Sequence, residues 1–194
     1  YLRFTQEFLM LCKKLHHAAF RCKDAAETVK FYTDVLGLKF THAMGEDHVP
    51  STGKYSPHVH IFFEMEDGSN IAFFECPLDP GEPSGRDPQT PGWIQHFAFE
   101  VADMDTLLKA KQDLEAKGLS VVGPTNHDDF ITSIYFFDPS GHRLELTTRT
   151  CLDPVRLKAF EDEAPQVLNL WNQTHDWSQR EKVFGAKTGY VRQP

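Results

Sequence analysis

Apolar and polar positions recur along this chain in two similar blocks. Ala26, Val29, Phe31, Tyr32, Val35 and Leu36 fall at helical spacing, and so do Met104, Leu107, Leu108, Lys111 and Leu114, the lysine contributing its apolar stem. Asp24 and Asp103 stand where helix N-caps belong, because an acceptor oxygen there satisfies orphan amide protons. Gly37 and Gly118 stand where helices stop. Three strand patterns follow each helix: 38–43, 59–65 and 70–76 in the first block, 120–122, 131–137 and 143–148 in the second. Asp67-Gly68 and Asp138-Pro139-Ser140-Gly141 mark equivalent hairpin turns.

The segment ahead of each helix is repeated. His17-Ala18-Ala19-Phe20-Arg21-Cys22-Lys23-Asp24 returns as His96-Phe97-Ala98-Phe99-Glu100-Val101-Ala102-Asp103, keeping the His, an Ala, a Phe and the final Asp. The pattern predicts an α+β fold of two βαβββ modules, about 15–76 and 93–150, in one domain over 15–150. A helix on one face of each sheet leaves the other face needing cover, so the modules are expected to enclose a cavity. Residues 77–92, dense in Pro, Gly and Asp, read as a surface linker. Residues 1–14 are expected to be a helical extension, with Phe4, Phe8 and Leu11 on one face. Residues 151–194 form a polar C-terminal extension whose Trp171 and Trp177 could brace a surface or a subunit partner.

Composition narrows the function classes. The 194 residues carry 20 Lys+Arg against 28 Asp+Glu, a formal net charge of -8. That balance repels phosphate backbones, so no nucleic-acid partner is expected. No stretch reaches the roughly 20 apolar residues that span a bilayer, so no membrane partner is expected either. Cys12, Cys22, Cys76 and Cys151 form no CxxC pair, which removes structural zinc and thioredoxin-like chemistry and predicts reduced thiols in a cytoplasmic protein.

Candidate chemistry lies on the strands. Leu144-Glu145-Leu146 places a carboxylate between leucines, a costly position unless a partner or cation meets it. His17 and His96 occupy equivalent repeat positions, and a single strand histidine is ordinarily just a satisfied polar residue. Together with Glu145 they make a two-histidine, one-carboxylate set suited to ferrous iron, manganese or zinc. Two alternatives stay open on the residues alone. His16 could face inward in place of His17, and His58 and His60 could chelate from one strand or line a cavity mouth.

The chain resembles the vicinal oxygen chelate superfamily, which includes glyoxalase I, bleomycin- and fosfomycin-resistance proteins, methylmalonyl-CoA epimerase and extradiol dioxygenases. The motifs that carry the resemblance are Leu15-His16-His17-Ala18-Ala19-Phe20, Phe31-Tyr32-Thr33-Asp34-Val35-Leu36-Gly37-Leu38 and Asp138-Pro139-Ser140-Gly141-His142-Arg143-Leu144-Glu145-Leu146. It implies His17, His96 and Glu145 as metal ligands. Counting from Gly68 and Gly141, the family's further carboxylate position is Ala72, and Glu75 has the opposite strand parity. Three protein ligands resemble the extradiol dioxygenases, which hold Fe(II) and cleave catechol-like vicinal diols. Tyr135 stands where those enzymes carry a tyrosine, and His127 lies one position from where they carry a histidine. Both are expected to touch substrate and assist proton transfer. The acid–base histidine of those enzymes falls at Asn70 or Ile71 here, a departure that predicts slow turnover. Two other classes remain expectations: a glyoxalase- or epimerase-type lyase or isomerase, and a non-catalytic binding protein of the bleomycin-resistance kind; under each reading the partner is a small molecule, and a homodimer is expected as the assembly.

Overall fold

The computed structural model describes residues 12–79, 81, 87–176 and 178. The helix expected over 1–14 falls largely outside these residues, as does Trp177, and 12–14 are irregular.

The first module is β1 (His17–Arg21), α1 (Ala25–Asp34), β2 (Lys39–His48), β3 (Tyr55–Glu64) and β4 (Asn70–Glu75). Its four-stranded sheet has the order β1-β4-β3-β2, with β1 parallel to β4 and the other pairs antiparallel. The Asp24 carboxylate caps α1 by accepting from the Glu27 N–H at 2.8 Å. Cross-strand partners share a face, so the register sorts the side chains. One face carries Phe20, Ile61, Phe63, Ile71 and Phe73. Tyr32 of α1 lies 5.1 Å from the Phe63 ring and 4.8 Å from the Phe73 ring. All three are wholly buried, each stabilising the module by about 1.5–3 kcal/mol. The other face carries His17, Ala72, Phe62, His60, His58 and Met44.

β2 runs past the expected 38–43. Its second half, Met44 followed by a polar run, is exposed and held by backbone pairing to β3. Hydrophobic alternation cannot reveal an edge strand that buries neither face. Pro57 sits in β3 beside the register shift between Glu46 and His48, where a missing N–H costs no ladder bond.

The second module is β5 (His96–Glu100), α2 (Met104–Ala116), β6 (Val122–His127), β7 (Ile131–Phe137) and β8 (Arg143–Arg149), with sheet order β5-β8-β7-β6. Asp103 caps α2 by accepting from the Thr106 N–H at 2.8 Å. The strand expected at 120–122 lies instead at 122–127. Gly123 and Pro124 read as breakers, yet the strand passes them through a register shift between Val122 and Thr125. Gly123 has φ +110°, and a Cβ there would meet the Ser133 carbonyl oxygen at 2.7 Å, so only glycine fits.

The C-terminal extension contains α3 (Pro154–Thr174), capped by Asp153 and begun by Pro154. Its weak apolar pattern gave no helix expectation, and Leu170 is its one buried residue among those described. None of the described helices is long and apolar enough to cross a membrane.

By internal contacts the chain divides into two compact units, Tyr1–Phe97 with Phe136–Leu144, and Ala98–Tyr135 with Glu145–Pro194. In the first unit, the Asp138 carboxylate accepts from the backbone N–H groups of Ser140 and His142 and from the Tyr32 hydroxyl. The His142 ring lies among Phe20, Phe73 and Phe97. In the second unit, Phe160 of α3 meets Phe130 at 5.6 Å.

Candidate functional site

The helix-free face of the first sheet is rich in imidazoles. His17 opens β1 and is exposed, its ring 5.5 Å from Phe62 and 6.1 Å from His60. His16 precedes the strand, and its carbonyl accepts from the Asn70 N–H. The strand thus gives the sheet face to His17, while the two Nδ1 atoms stand at hydrogen-bond distance, 2.8 Å apart. If Nδ1 of His17 donates, its Nε2 carries the lone pair a metal requires.

His60 is 8% exposed. It stacks on Phe74 with ring centres 3.6 Å apart and meets Phe62 at 4.2 Å. Its Nε2 is buried without a hydrogen-bond partner. Burial, and then the neighbouring His17, His58 and His42, lower its pKa to about 4, so the ring is neutral at pH 7. The Nδ1 of His58 bonds to the Ser56 carbonyl at 2.7 Å.

Asn70 is paired with His17 across the strands, whereas Ile71 is buried on the helix-covered face. Glu75 also lies on the helix side, where Oε2 accepts from the Ala25 N–H at 2.7 Å. A carboxylate there meets the positive end of α1, which gives Glu75 a structural partner. Burial pushes the Cys22 thiol up to about 11, which leaves it inert as a nucleophile at neutral pH.

On the second sheet, His96 opens β5, exposed, with Nδ1 2.8 Å from the Ile94 carbonyl oxygen. That carbonyl can only accept, so Nδ1 carries the hydrogen and Nε2 the lone pair. Glu145 is 3% exposed between buried Leu144 and Leu146. The Ser133 hydroxyl bonds to that of Thr147 at 2.9 Å, so one face carries Glu145 and Thr147 from β8 with Ser133 and Tyr135 from β7. Pairing of His127 with Ile131 puts His127 on that face as well. The Tyr135 hydroxyl lies 2.8 Å from His127 Nε2. Asn126, the neighbour closer to the family spacing, instead makes two bonds to Asp129.

The two residues expected to move protons are thus brought together, on the face that bears Glu145. Among the described residues, no group of three His, Cys, Asp or Glu is placed to hold a metal ion. Sequence reasoning left His60 undecided. The signal that places it beside His17 was the register through β4, where Phe62 opposes Ala72 and His60 opposes Phe74.

Residues 14–146 match the family model described as Glyoxalase/Bleomycin resistance protein/Dioxygenase superfamily. The chain is 32% identical over 139 residues to the uncharacterized protein YwkD of Bacillus subtilis (strain 168), covering 71% of this chain and 98% of that one. It is 28% identical over 106 residues to a chlorohydroquinone/hydroquinone 1,2-dioxygenase of Sphingobium indicum, covering 55% of this chain but only 31% of that enzyme. A glyoxalase family protein from Enterococcus faecalis has a similar structure, with a TM-score of 0.52 at 22% identity, covering 71% of this chain and 99% of that one. At that identity the likeness speaks for the fold.

Proposed function

Because the chain belongs to the Glyoxalase/Bleomycin resistance protein/Dioxygenase superfamily, we propose that it is a metal-dependent oxygenase acting on a catechol-like vicinal diol. His17, His96 and Glu145 are the proposed ligands, with Tyr135 and His127 as the proton-transfer pair. The donor set of two imidazoles and a carboxylate fits Fe(II), with Mn(II) or Zn(II) as alternatives. Glu145, 3% exposed on the face of β8 that also carries Thr147, would supply the anionic ligand. Bound Fe(II) would supply open coordination positions for the two diol oxygens and for dioxygen.

The protein's own groups then do the following. The Ile94 carbonyl fixes the tautomer of His96, as His16 can for His17. The observation that carries the reading is the 2.8 Å contact between Tyr135 and His127 on the face of Glu145. That pair can pass one proton between Oη and Nε2, accepting it from a diol hydroxyl and returning it to a product oxygen. Ala72, in place of a further carboxylate, weighs against an isomerase that needs a second anionic ligand. Similarity to the hydroquinone dioxygenase agrees with this assignment without fixing a substrate.

The test is oxygen uptake by anaerobically iron-loaded protein across a panel of catechols and hydroquinones. Turnover with a coloured ring-opened product is expected, slow because Asn70 replaces an acid–base histidine. Tyr135→Phe should lower turnover by ~10²-fold or more with iron content unchanged. Full iron occupancy without oxygen uptake refutes the oxygenase reading, and turnover of a hemithioacetal or an acyl-CoA epimer replaces it with the isomerase. A protein that binds an apolar ligand and no metal is the binding class instead.

A further inference from the structure

We propose that His60 is an additional metal ligand, forming with His17 a two-imidazole chelate on the helix-free face of the first sheet. This extends the metal-centre reading above, on which the role of His17 rests. An imidazole from β3 would supply the donor that the Ala72 position of β4 lacks.

Three observations converge on His60. First, its Nε2 is buried and has no hydrogen-bond partner. Leaving a buried nitrogen unsatisfied is costly, and native proteins retain few such groups without a use. Second, the ring is held in place by Phe74 on one side and Phe62 on the other, so its nitrogen is pre-oriented. Third, the fold does not require a histidine there. Counting from the turn glycines Gly68 and Gly141, His60 and Phe74 correspond to Ser133 and Thr147. In the second module those two positions satisfy each other through a hydroxyl–hydroxyl bond of 2.9 Å. The same backbone therefore accommodates a self-sufficient polar pair. The first module instead carries an aromatic stack with an unpartnered ring nitrogen.

The geometry suits a shared ion. Two imidazoles bound to one ion at ~2.1 Å have ring centres about 5 Å apart. The rings of His17 and His60 stand 6.1 Å apart, so a closure of about 1 Å suffices. His17 is exposed at the start of its strand and can supply that movement, while His60 is fixed by its stack. Nitrogen ligands of this kind favour cobalt, nickel, copper or zinc, and ferrous iron where a carboxylate joins them.

The experiment is Co(II) binding to the full chain, read by competition with a chelator and by X-ray absorption at the cobalt edge. Wild type, His60→Phe, His60→Gln and Glu145→Gln are compared, each checked for native circular dichroism. His60→Phe is expected to weaken Co(II) binding at least tenfold and to remove one imidazole from the absorption signature. His60→Gln should weaken it as well, which keeps the test decisive if the phenylalanine variant misfolds. Unchanged affinity and imidazole count in both His60 variants, with binding lost in Glu145→Gln, overturns this proposal and leaves the three-ligand centre standing. Loss in the His60 variants with none in Glu145→Gln supports the chelate and overturns the three-ligand centre. Wild-type protein that binds no Co(II) at millimolar concentration overturns both.

Discussion

Replacing His60 with phenylalanine should stabilise the metal-free protein, although most buried substitutions destabilise. The side chain is 8% exposed and lies between Phe62 and Phe74, a setting in which a phenyl ring of similar size needs no partner. Removing the unsatisfied Nε2 should return about 1–3 kcal/mol at pH 7. The effect should grow in acid. Native His60 titrates at about 4, below its ordinary 6.5, because burial and the nearby His17, His58 and His42 oppose its charge. Between those pH values the unfolded chain holds a proton that the native ring refuses. Stability contributed by the neutral ring is thus present above pH 6.5 and lost as pH falls towards 4. The full difference has a ceiling of about 3 kcal/mol, and water reaching the exposed β2 side reduces it to about 1–2 kcal/mol.

Urea denaturation of chelator-treated protein at pH 7.0 and 4.5 measures both effects. The variant should lead the wild type at neutral pH, and its lead should widen by about 1–2 kcal/mol in acid. A lead that stays constant with pH, or a well-folded variant less stable at both, would refute the reasoning. Saturating Co(II) should reverse the order, since a cation held by His60 stabilises only the wild type.

Three further outcomes test neighbouring parts of the structure. Glu75→Ala removes the acceptor for the Ala25 N–H and a charge at the start of α1, so thermal denaturation should show a loss of about 1–2 kcal/mol with metal content unchanged. Tyr32→Phe deletes the hydroxyl that donates to buried Asp138, and should cost about 1–2 kcal/mol by urea denaturation at pH 7. Glu145→Gln should cut metal stoichiometry sharply in elemental analysis, and unchanged stoichiometry in folded protein removes Glu145 from the centre.

Much of the fold was readable because duplication repeats its signals. The capping aspartates and the stop glycines occur twice in the same order and agree with the structure, and the helical apolar faces agree at Phe31, Tyr32, Leu107 and Leu114, while Ala26 and Leu108 are exposed. The elements misjudged have physical reasons. The second half of β2 and the whole of β6 are edge strands that bury little, so alternation is absent and only backbone pairing defines them. α3 was hidden by its polar composition and by Pro165 within the helix. For the site, chain spacing found His127 beside Tyr135, because both lie on one hairpin whose register is short-range. The approach of His60 to His17 was not legible, because it runs through β4, a strand distant in sequence from β1.

Glu75 and Glu145 show how far a strand carboxylate's role depends on parity. Both lie on the last strand of a module, near the end of a motif shared by the two halves. The Ala72 and Glu145 positions correspond, while Glu75 sits an odd number of residues further on. Period two therefore turns Glu75 to the helix side, where its carboxylate accepts from the Ala25 N–H. Glu145 is turned to the face of Tyr135 and His127, buried between leucines. The first module thus carries alanine at the matching position of its open face, beside imidazoles, and the second a carboxylate beside a hydroxyl–imidazole pair. Shared backbone repeats but donor chemistry does not. In the proposed centre His17 and His96 supply nitrogen, one from each module, and Glu145 the anionic oxygen. Moving a carboxylate to the first, by Ala72→Glu in the His60→Phe background, should therefore restore Co(II) affinity that the single change removes. Failure of this double variant to regain binding, with its fold intact, would show that the Ala72 position and the His60 nitrogen do not address the same ion.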